Sequence, residues 1–124
     1  GNPIACAAGL ALLKELRGKK LAANAAKQGA LLMEGLKALQ SAHPHLIRSV
    51  RGRGLMIALQ LNQPSLPFVL SCLQQGLIVN ATAGTVLRLL PPLNLGAAEA
   101  KQALAVLKKV FEKPPVHKAP AATA

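Results

Sequence analysis

One arginine in this sequence could bind an anion. Arg88 lies in the run from Gly84 to Leu95, which reads Gly-Thr-Val-Leu-Arg-Leu-Leu-Pro-Pro-Leu-Asn-Leu. In a strand it would share a face with Val86 and Leu90, and a buried guanidinium without a partner costs much free energy. Its planar fork suits a carboxylate or a phosphate, held by two parallel hydrogen bonds. The alternative is an edge-strand arginine whose charged end reaches water.

The other polar residues form no catalytic set. The four acidic residues are all glutamates far apart in the sequence, and the absence of aspartate excludes a Ser-His-Asp triad. The three histidines, His43, His45 and His117, lack the spacing of metal ligands. His43 and His45 come at the end of a predicted helix, where we expect solvated side chains. The residues by themselves predict one anion-binding arginine and no metal site.

The composition predicts an aliphatic core and a strongly basic chain. Hydrophobic residues make up 52% of the sequence, with two Phe and no Trp or Tyr, and 15 Lys and Arg face four Glu, for a formal charge of +11. This charge leaves open a small nucleic-acid or polyanion-binding protein. The lack of aromatic residues for base stacking argues against that alternative, and we do not expect specific nucleic-acid binding. A third possibility is a non-catalytic interaction domain that docks through its first two helices.

The cysteines and the apolar segments indicate where the protein works. Cys6 and Cys72 lie in separate apolar helical patterns without a CxxC motif, so we expect two small buried thiols in a reducing compartment, the cytoplasm. No run of 18 apolar residues occurs, so we expect no membrane span. The chain starts without Met, inside an apparent helix start, which suggests a piece of a longer protein.

Hydrophobic periodicity predicts a mixed domain of the α/β class, an α+β small domain. Asn2 is expected to cap the first helix, Gly18 to end it and Ser65 to cap the third helix. The segment Val50–Gly54 is expected to form a turn or a bulge. The predicted helices span about 3–17, 20–41, 66–75 and 97–112, and the predicted strands 55–61, 77–80 and 85–90. This order, αα-β-α-β-β-α, predicts helices packed on a small, largely antiparallel sheet.

Four segments of the sequence together resemble a known family. They are Gly-Asn-Pro-Ile-Ala-Cys-Ala-Ala at 1–8, Val-Arg-Gly-Arg-Gly-Leu-Met at 50–56, Gly-Leu-Ile-Val-Asn at 76–80 and Leu-Arg-Leu-Leu-Pro-Pro-Leu at 87–93. In this order they resemble the C-terminal part of the class III pyridoxal-phosphate aminotransferases, and among these the acetylornithine aminotransferases. The resemblance covers residues 1–111.

The resemblance implies the C-terminal domain of a fold-type-I enzyme that works as a homodimer. Residues 1–18 would be the linker helix from the large domain, residues 19–112 the aminotransferase small domain, and residues 113–124 a disordered tail. The implied reaction moves an amino group between N-acetylornithine, or a related acylated diamino acid, and 2-oxoglutarate, in arginine biosynthesis.

The resemblance also assigns roles to residues. Arg88 would bind the α-carboxylate of the substrate, and Asn2 and Pro3 would start the linker helix near the dimer interface. The Schiff-base lysine and the residues that bind pyridoxal phosphate would lie upstream of Gly1, mainly in the large domain. We therefore expect no catalytic, cofactor-binding or metal-binding residue in this chain, and no activity from the chain alone.

Overall fold

The computed structural model describes residues 1–115, so His117 and most of the predicted tail lie outside the described residues. Four helices and four strands follow in the order ααββαββα. They are α1 (Pro3–Gly18), α2 (Leu21–Ala42), β1 (Ile47–Arg53), β2 (Met56–Leu61), α3 (Leu66–Gln74), β3 (Asn80–Thr82), β4 (Val86–Leu89) and α4 (Ala97–Glu112). The predicted fold class, helices packed on a small sheet, is confirmed.

The first helix starts where the sequence predicts and ends slightly later. The Oδ1 of Asn2 accepts a hydrogen bond from the backbone N–H of Ile4 at 2.9 Å, and Pro3 is the first helical residue. Gly18 was expected to end α1 in a left-handed conformation, but it is the last helical residue, and Lys20 adopts the positive φ of 49°. The chain reverses at Lys20, and α2 begins at the next residue.

The sheet is antiparallel throughout, with the strand order β1-β2-β4-β3. The sequence predicted three strands and missed β1. Residues 50–53, expected in a turn or a bulge, pair with β2 instead, and only Gly54 and Leu55 form the turn of the hairpin. Glycine is depleted in strands, and β1 carries arginine at three of its seven positions, so its apolar alternation is weak in the sequence. The predicted strand at 77–80 is displaced, since β3 begins at Asn80.

The core lies between one face of the sheet and the helices α2, α3 and α4. Alternate residues of the two central strands point into it, as period-2 patterning predicts for β2 and β4. The residues of β2 and β4 that join the core are Ile57, Leu59, Leu61, Leu87 and Leu89, all at most 5% exposed. Phe68 and Phe111 stack with their ring centroids 4.9 Å apart. The rest of the core is mainly leucine, as the composition predicts.

The two cysteines differ in their environment. Cys72 is fully buried on α3, and this burial raises the pKa of its thiol from 9.0 to about 11. Cys6 is exposed, which corrects the prediction of a buried thiol. The reason is that α1 contributes no buried residue, because it touches only α2 among the helices and strands. In the described part of the chain, no helix is long and apolar enough to cross a membrane.

A glycine on α2 allows the β1–β2 hairpin to pack against this helix. A β-carbon at Gly29 would come within 2.8 Å of the Cα of Gly54, and closer still to the carbonyl group of that residue. Gly54 itself has a φ of +55° in the hairpin turn, where glycine is favoured. The backbone of α2 and the hairpin turn therefore approach each other in a way that only glycine at position 29 permits.

We predict opposite effects on stability for alanine at two helical glycines. Gly29→Ala should lower the free energy of unfolding by about 1–3 kcal/mol, because the new methyl group meets a backbone that must shift. Gly9→Ala is the matched control, since no atom lies within 4 Å of a β-carbon there. It should raise the stability of the chain by about 0.5–1 kcal/mol through helix propensity. Urea unfolding of both variants measures the difference, and equal effects would contradict the close approach.

Candidate anion-binding site

Arg88 lies on an interior strand. Strand β4 pairs with β2 on one side and with β3 on the other, and Arg88 stands opposite Ala58 and Asn80. Arg88 is therefore not on an edge strand, which corrects that part of the alternative. Leu87 and Leu89 point into the core, so the side chain of Arg88 lies on the opposite face of the sheet.

This open face of the sheet carries a row of four residues. Arg51, Ala58, Arg88 and Asn80 stand opposite one another across the four strands, in the order β1, β2, β4 and β3. With neighbouring strands about 4.8 Å apart, the backbones of the two arginines are roughly 10 Å apart. Arg51 is exposed, and its guanidinium lies 3.5 Å from the Oε1 of Gln60. The row therefore places two cations on a face that α2, α3 and α4 leave uncovered.

The guanidinium of Arg88 is half-buried and incompletely paired. Its Nε is buried and has no hydrogen-bond partner among residues 1–115. Within the same residues no arginine forms an ion pair; the two ion pairs join Lys19 to Glu15 and Lys108 to Glu112. Buried donors are nearly always satisfied in folded proteins, so an unpaired N–H of this kind requires an explanation. A carboxylate or phosphate on the open face would supply the missing acceptor.

The segment after β4 is attached to α2 by an asparagine that the sequence analysis missed. The Nδ2 of Asn24 donates hydrogen bonds to the carbonyl oxygens of Leu93 at 2.8 Å and Leu95 at 3.0 Å. The backbone N–H of Leu95 also donates to the carbonyl of Pro92 at 3.0 Å. The sequence carried a partial signal, because Gln28, one turn after Asn24, falls on the apolar face of α2. A polar residue at such a position needs polar neighbours, and the structure shows that Gln28 is buried.

Two other features of the chain lie away from Arg88. A cleft of about 270 Å³ lies between the α3–β3 connection, the end of β4 and α4, on the helix side of the sheet, and no cationic side chain lines it. The rings of His43 and His45 are 6.1 Å apart, and the described residues contain no group of three side chains able to hold a metal ion. Neither feature contributes to the anion site.

The described residues do not fit pyridoxal phosphate by themselves. All nine lysines in residues 1–115 are exposed, so none occupies the desolvated setting that makes a lysine a nucleophile. Among residues 1–115, the buried donor that lacks an acceptor is the Nε of Arg88. Arg88 could pair with a carboxylate without a cofactor nearby. Among the described residues, Arg88 is therefore the candidate for holding a carboxylate.

Comparison with known proteins identifies clear relatives. Residues 1–111 match the family "Aminotransferase class-III". Acetylornithine aminotransferase of Gloeobacter violaceus is 42% identical over 117 residues, which are 94% of this chain and 29% of the relative. Acetylornithine aminotransferase of Bifidobacterium longum is 47% identical over 111 residues, which are 89% of this chain and 25% of the relative. The chain therefore spans between a quarter and a third of these relatives.

Solved structures match the fold described above. Acetylornithine aminotransferase of Elizabethkingia anophelis has a TM-score of 0.84 and 30% identity, over 89% of this chain and 28% of that protein. An amine transaminase from an uncultivated Pseudomonas species, solved in its PLP-bound form, has a TM-score of 0.81 and 35% identity, over 89% of this chain and 27% of that protein. The resemblance on which the sequence analysis relied is confirmed at the level of the family.

Proposed function

Because the chain belongs to the class-III aminotransferases, whose cofactor is pyridoxal phosphate, we propose that it is the C-terminal part of such an enzyme and that Arg88 binds the α-carboxylate of the substrate. The observation that carries this assignment is the buried, unpaired Nε of Arg88 on the open sheet face. Fork-to-fork pairing with a carboxylate would satisfy it and would fix the orientation of the substrate.

The proposed substrates are N-acetylornithine, or a related acylated diamino acid, and 2-oxoglutarate, as in arginine biosynthesis. Support comes from the names of the two bacterial relatives at 42% and 47% identity. A relative at 38% identity, from Staphylococcus aureus, is an ornithine aminotransferase, so the acyl group is the part of the substrate that most needs testing. All these substrates carry an α-carboxylate that Arg88 could hold.

The proposed organisation follows the implied domain boundaries. Residues 1–18 would link this domain to a large domain, and residues 19–112 would be the small domain. Several large apolar side chains of α1 support the first assignment, because they are more than half exposed and would be buried against another part of the enzyme. They are Ile4, Leu10, Leu12 and Leu13. We further propose a cytoplasmic homodimer, with the two free cysteines, Cys6 and Cys72, favouring a reducing compartment.

The role of Arg88 in this enzyme is binding and orientation. The cofactor, when bound, supplies the electron sink for amino-group transfer, and the described residues contribute no group to that chemistry. Arg88 would hold the substrate by its carboxylate, so that the amino group points in one direction from the open face. Such fixed orientation is a large part of what an enzyme contributes to the rate.

A substrate panel tests the proposed function in the complete enzyme. With 2-oxoglutarate as acceptor, we expect the highest kcat/KM for N-acetylornithine, and lower values for N-succinylornithine, ornithine and N-succinyl-diaminopimelate. One methylene in an apolar pocket gives a discrimination of about 10- to 200-fold. We expect at least this much here, because the succinyl carboxylate and the free δ-amino group of ornithine also change the charge of the donor. A higher kcat/KM for free ornithine would make ornithine, and not N-acetylornithine, the amino-group donor, while the reaction would still be a transamination. Absence of transamination with all four compounds would refute the proposed activity.

A further inference from the structure

The amide of Asn24 joins α2 to the segment that follows the Arg88 strand. Its Nδ2 donates to the carbonyls of both Leu93 and Leu95, at 2.8 and 3.0 Å. Since carbonyl oxygens only accept, this contact fixes which end of the amide is nitrogen. No other side chain of residues 1–115 forms a hydrogen bond to the backbone of residues 90–95.

A second amide supports the first. The Nε2 of Gln28 lies 3.5 Å from the Oδ1 of Asn24, at the long limit of a hydrogen bond. Gln28 is only 5% exposed, and its Oε1 has no partner in the described part of the chain. A buried Gln28 thus lies against the oxygen end of the Asn24 amide. The two carbonyl contacts are therefore held from the helix side.

The segment anchored by Asn24 follows closely on the end of β4. Pro91 and Pro92 have fixed φ angles and no N–H group, so the ladder of β4 stops shortly after Leu89, the last strand residue. Between that point and Gly96 the chain is largely exposed, and Leu90 is 60% exposed. Because φ is fixed at both prolines, we expect a displacement of Leu93 and Leu95 to shift the end of β4, where Arg88 lies.

We propose that Asn24 is a positioning residue for Arg88. It holds the Pro-Pro corner against α2 and so fixes the end of β4, from which the guanidinium reaches the substrate carboxylate. This inference rests on the proposed carboxylate-binding role of Arg88. Asn24 would act through this corner, without touching substrate or cofactor.

The test uses the complete enzyme with Asn24→Ala and Asn24→Asp. The second variant keeps the shape and the acceptor toward Gln28, but it has no N–H to donate to the two carbonyls. Displacement of a substrate-binding group by about 1 Å can lower the rate by up to about 100-fold. We expect kcat/KM for the amino-acid substrate to fall about 10-fold in both variants, mainly through a higher KM. With the corresponding amine, which lacks the α-carboxylate, the change should stay within about twofold.

The matched control is Asn62→Ala. The Nδ2 of Asn62 also donates to two backbone carbonyls, those of Pro44 at 3.4 Å and His45 at 3.0 Å, away from Arg88. The melting temperature of this variant should fall about as far as that of Asn24→Ala. Its kcat/KM for the amino acid and for the corresponding amine should stay unchanged. A double mutant of Asn24→Ala with Arg88→Ala should be no worse toward the amino acid than Arg88→Ala alone, because the two residues act through one contact.

The outcomes separate this inference from the proposed function. If Arg88→Ala leaves the preference for the carboxylated substrate intact, the proposed role of Arg88 fails. If Arg88→Ala removes the preference and neither Asn24 variant changes it, only the positioning role fails. Two results would overturn the inference and assign Asn24 to general stability. One is an equal loss of kcat/KM with the amino acid and with the amine. The other is that the Asn24 variants do not fold while Asn62→Ala does.

Discussion

Replacement of Arg88 by alanine in the complete enzyme is expected to lower kcat/KM for the amino-acid substrate by about 30-fold to several thousand-fold. The range corresponds to the roughly 2–5 kcal/mol that is lost when one partner of a desolvated, hydrogen-bonded charge pair is removed. The loss should appear for 2-oxoglutarate as well, because both substrates carry a carboxylate beside the reacting carbon. Cofactor binding and the melting temperature should change little, since Arg88 forms no ion pair with the described residues.

Lysine at the same position distinguishes geometry from charge. Arg88→Lys keeps the positive charge and loses the planar fork, so it should also impair both substrates. Arg51→Ala is the matched control, because Arg51 lies in the same cross-strand row and its removal takes one charge from the same face. Normal kcat/KM in Arg88→Lys would show that a two-pronged contact is not required. Equal losses in Arg51→Ala and Arg88→Ala would indicate a general effect of the positive face.

The isolated chain should show no transamination at all. Its described lysines are all exposed, and an arginine can orient a substrate but cannot take the place of a Schiff-base lysine. After mixing with pyridoxal phosphate and treatment with borohydride, peptide mapping should find only weak, scattered modification of surface lysines. The complete enzyme, treated in parallel, should be modified at one lysine in stoichiometric amount.

A different result would refute this view of the chain. Stoichiometric labelling of a single lysine among residues 1–124, together with turnover of N-acetylornithine, would place the catalytic site within the chain. Labelling of Lys101, Lys108 or Lys109, the exposed lysines on α4, would also separate that site from Arg88. They lie on a helix that packs on the side of the sheet away from Arg88.

Much of the local structure of this protein follows from short-range patterns. Asn2 and Pro3 start α1, the alternation around Ile57 gives β2, and Pro91 stops β4 soon after Leu89. Each of these signals acts within a few residues, because capping, strand pleating and proline geometry are local effects. Arg88 also stood out locally, as the single charge in an apolar strand. Its geometry predicts a carboxylate or a phosphate as the ligand, and the family resemblance narrows the prediction to the α-carboxylate of a substrate.

The tertiary structure decided which residues meet. The weak strand β1 forms because β2 offers it a partner, and the interior position of β4 depends on the return of the chain through α3. Asn24 bonds to Leu93 across 69 residues of sequence, and Gly29 lies against the turn at Gly54. Periodicity shows which face of an element is buried, but the element that covers this face is selected by packing between distant segments. For that reason the sequence identified Arg88, and the structure showed that it lies on an interior strand with one face of the sheet open beside it.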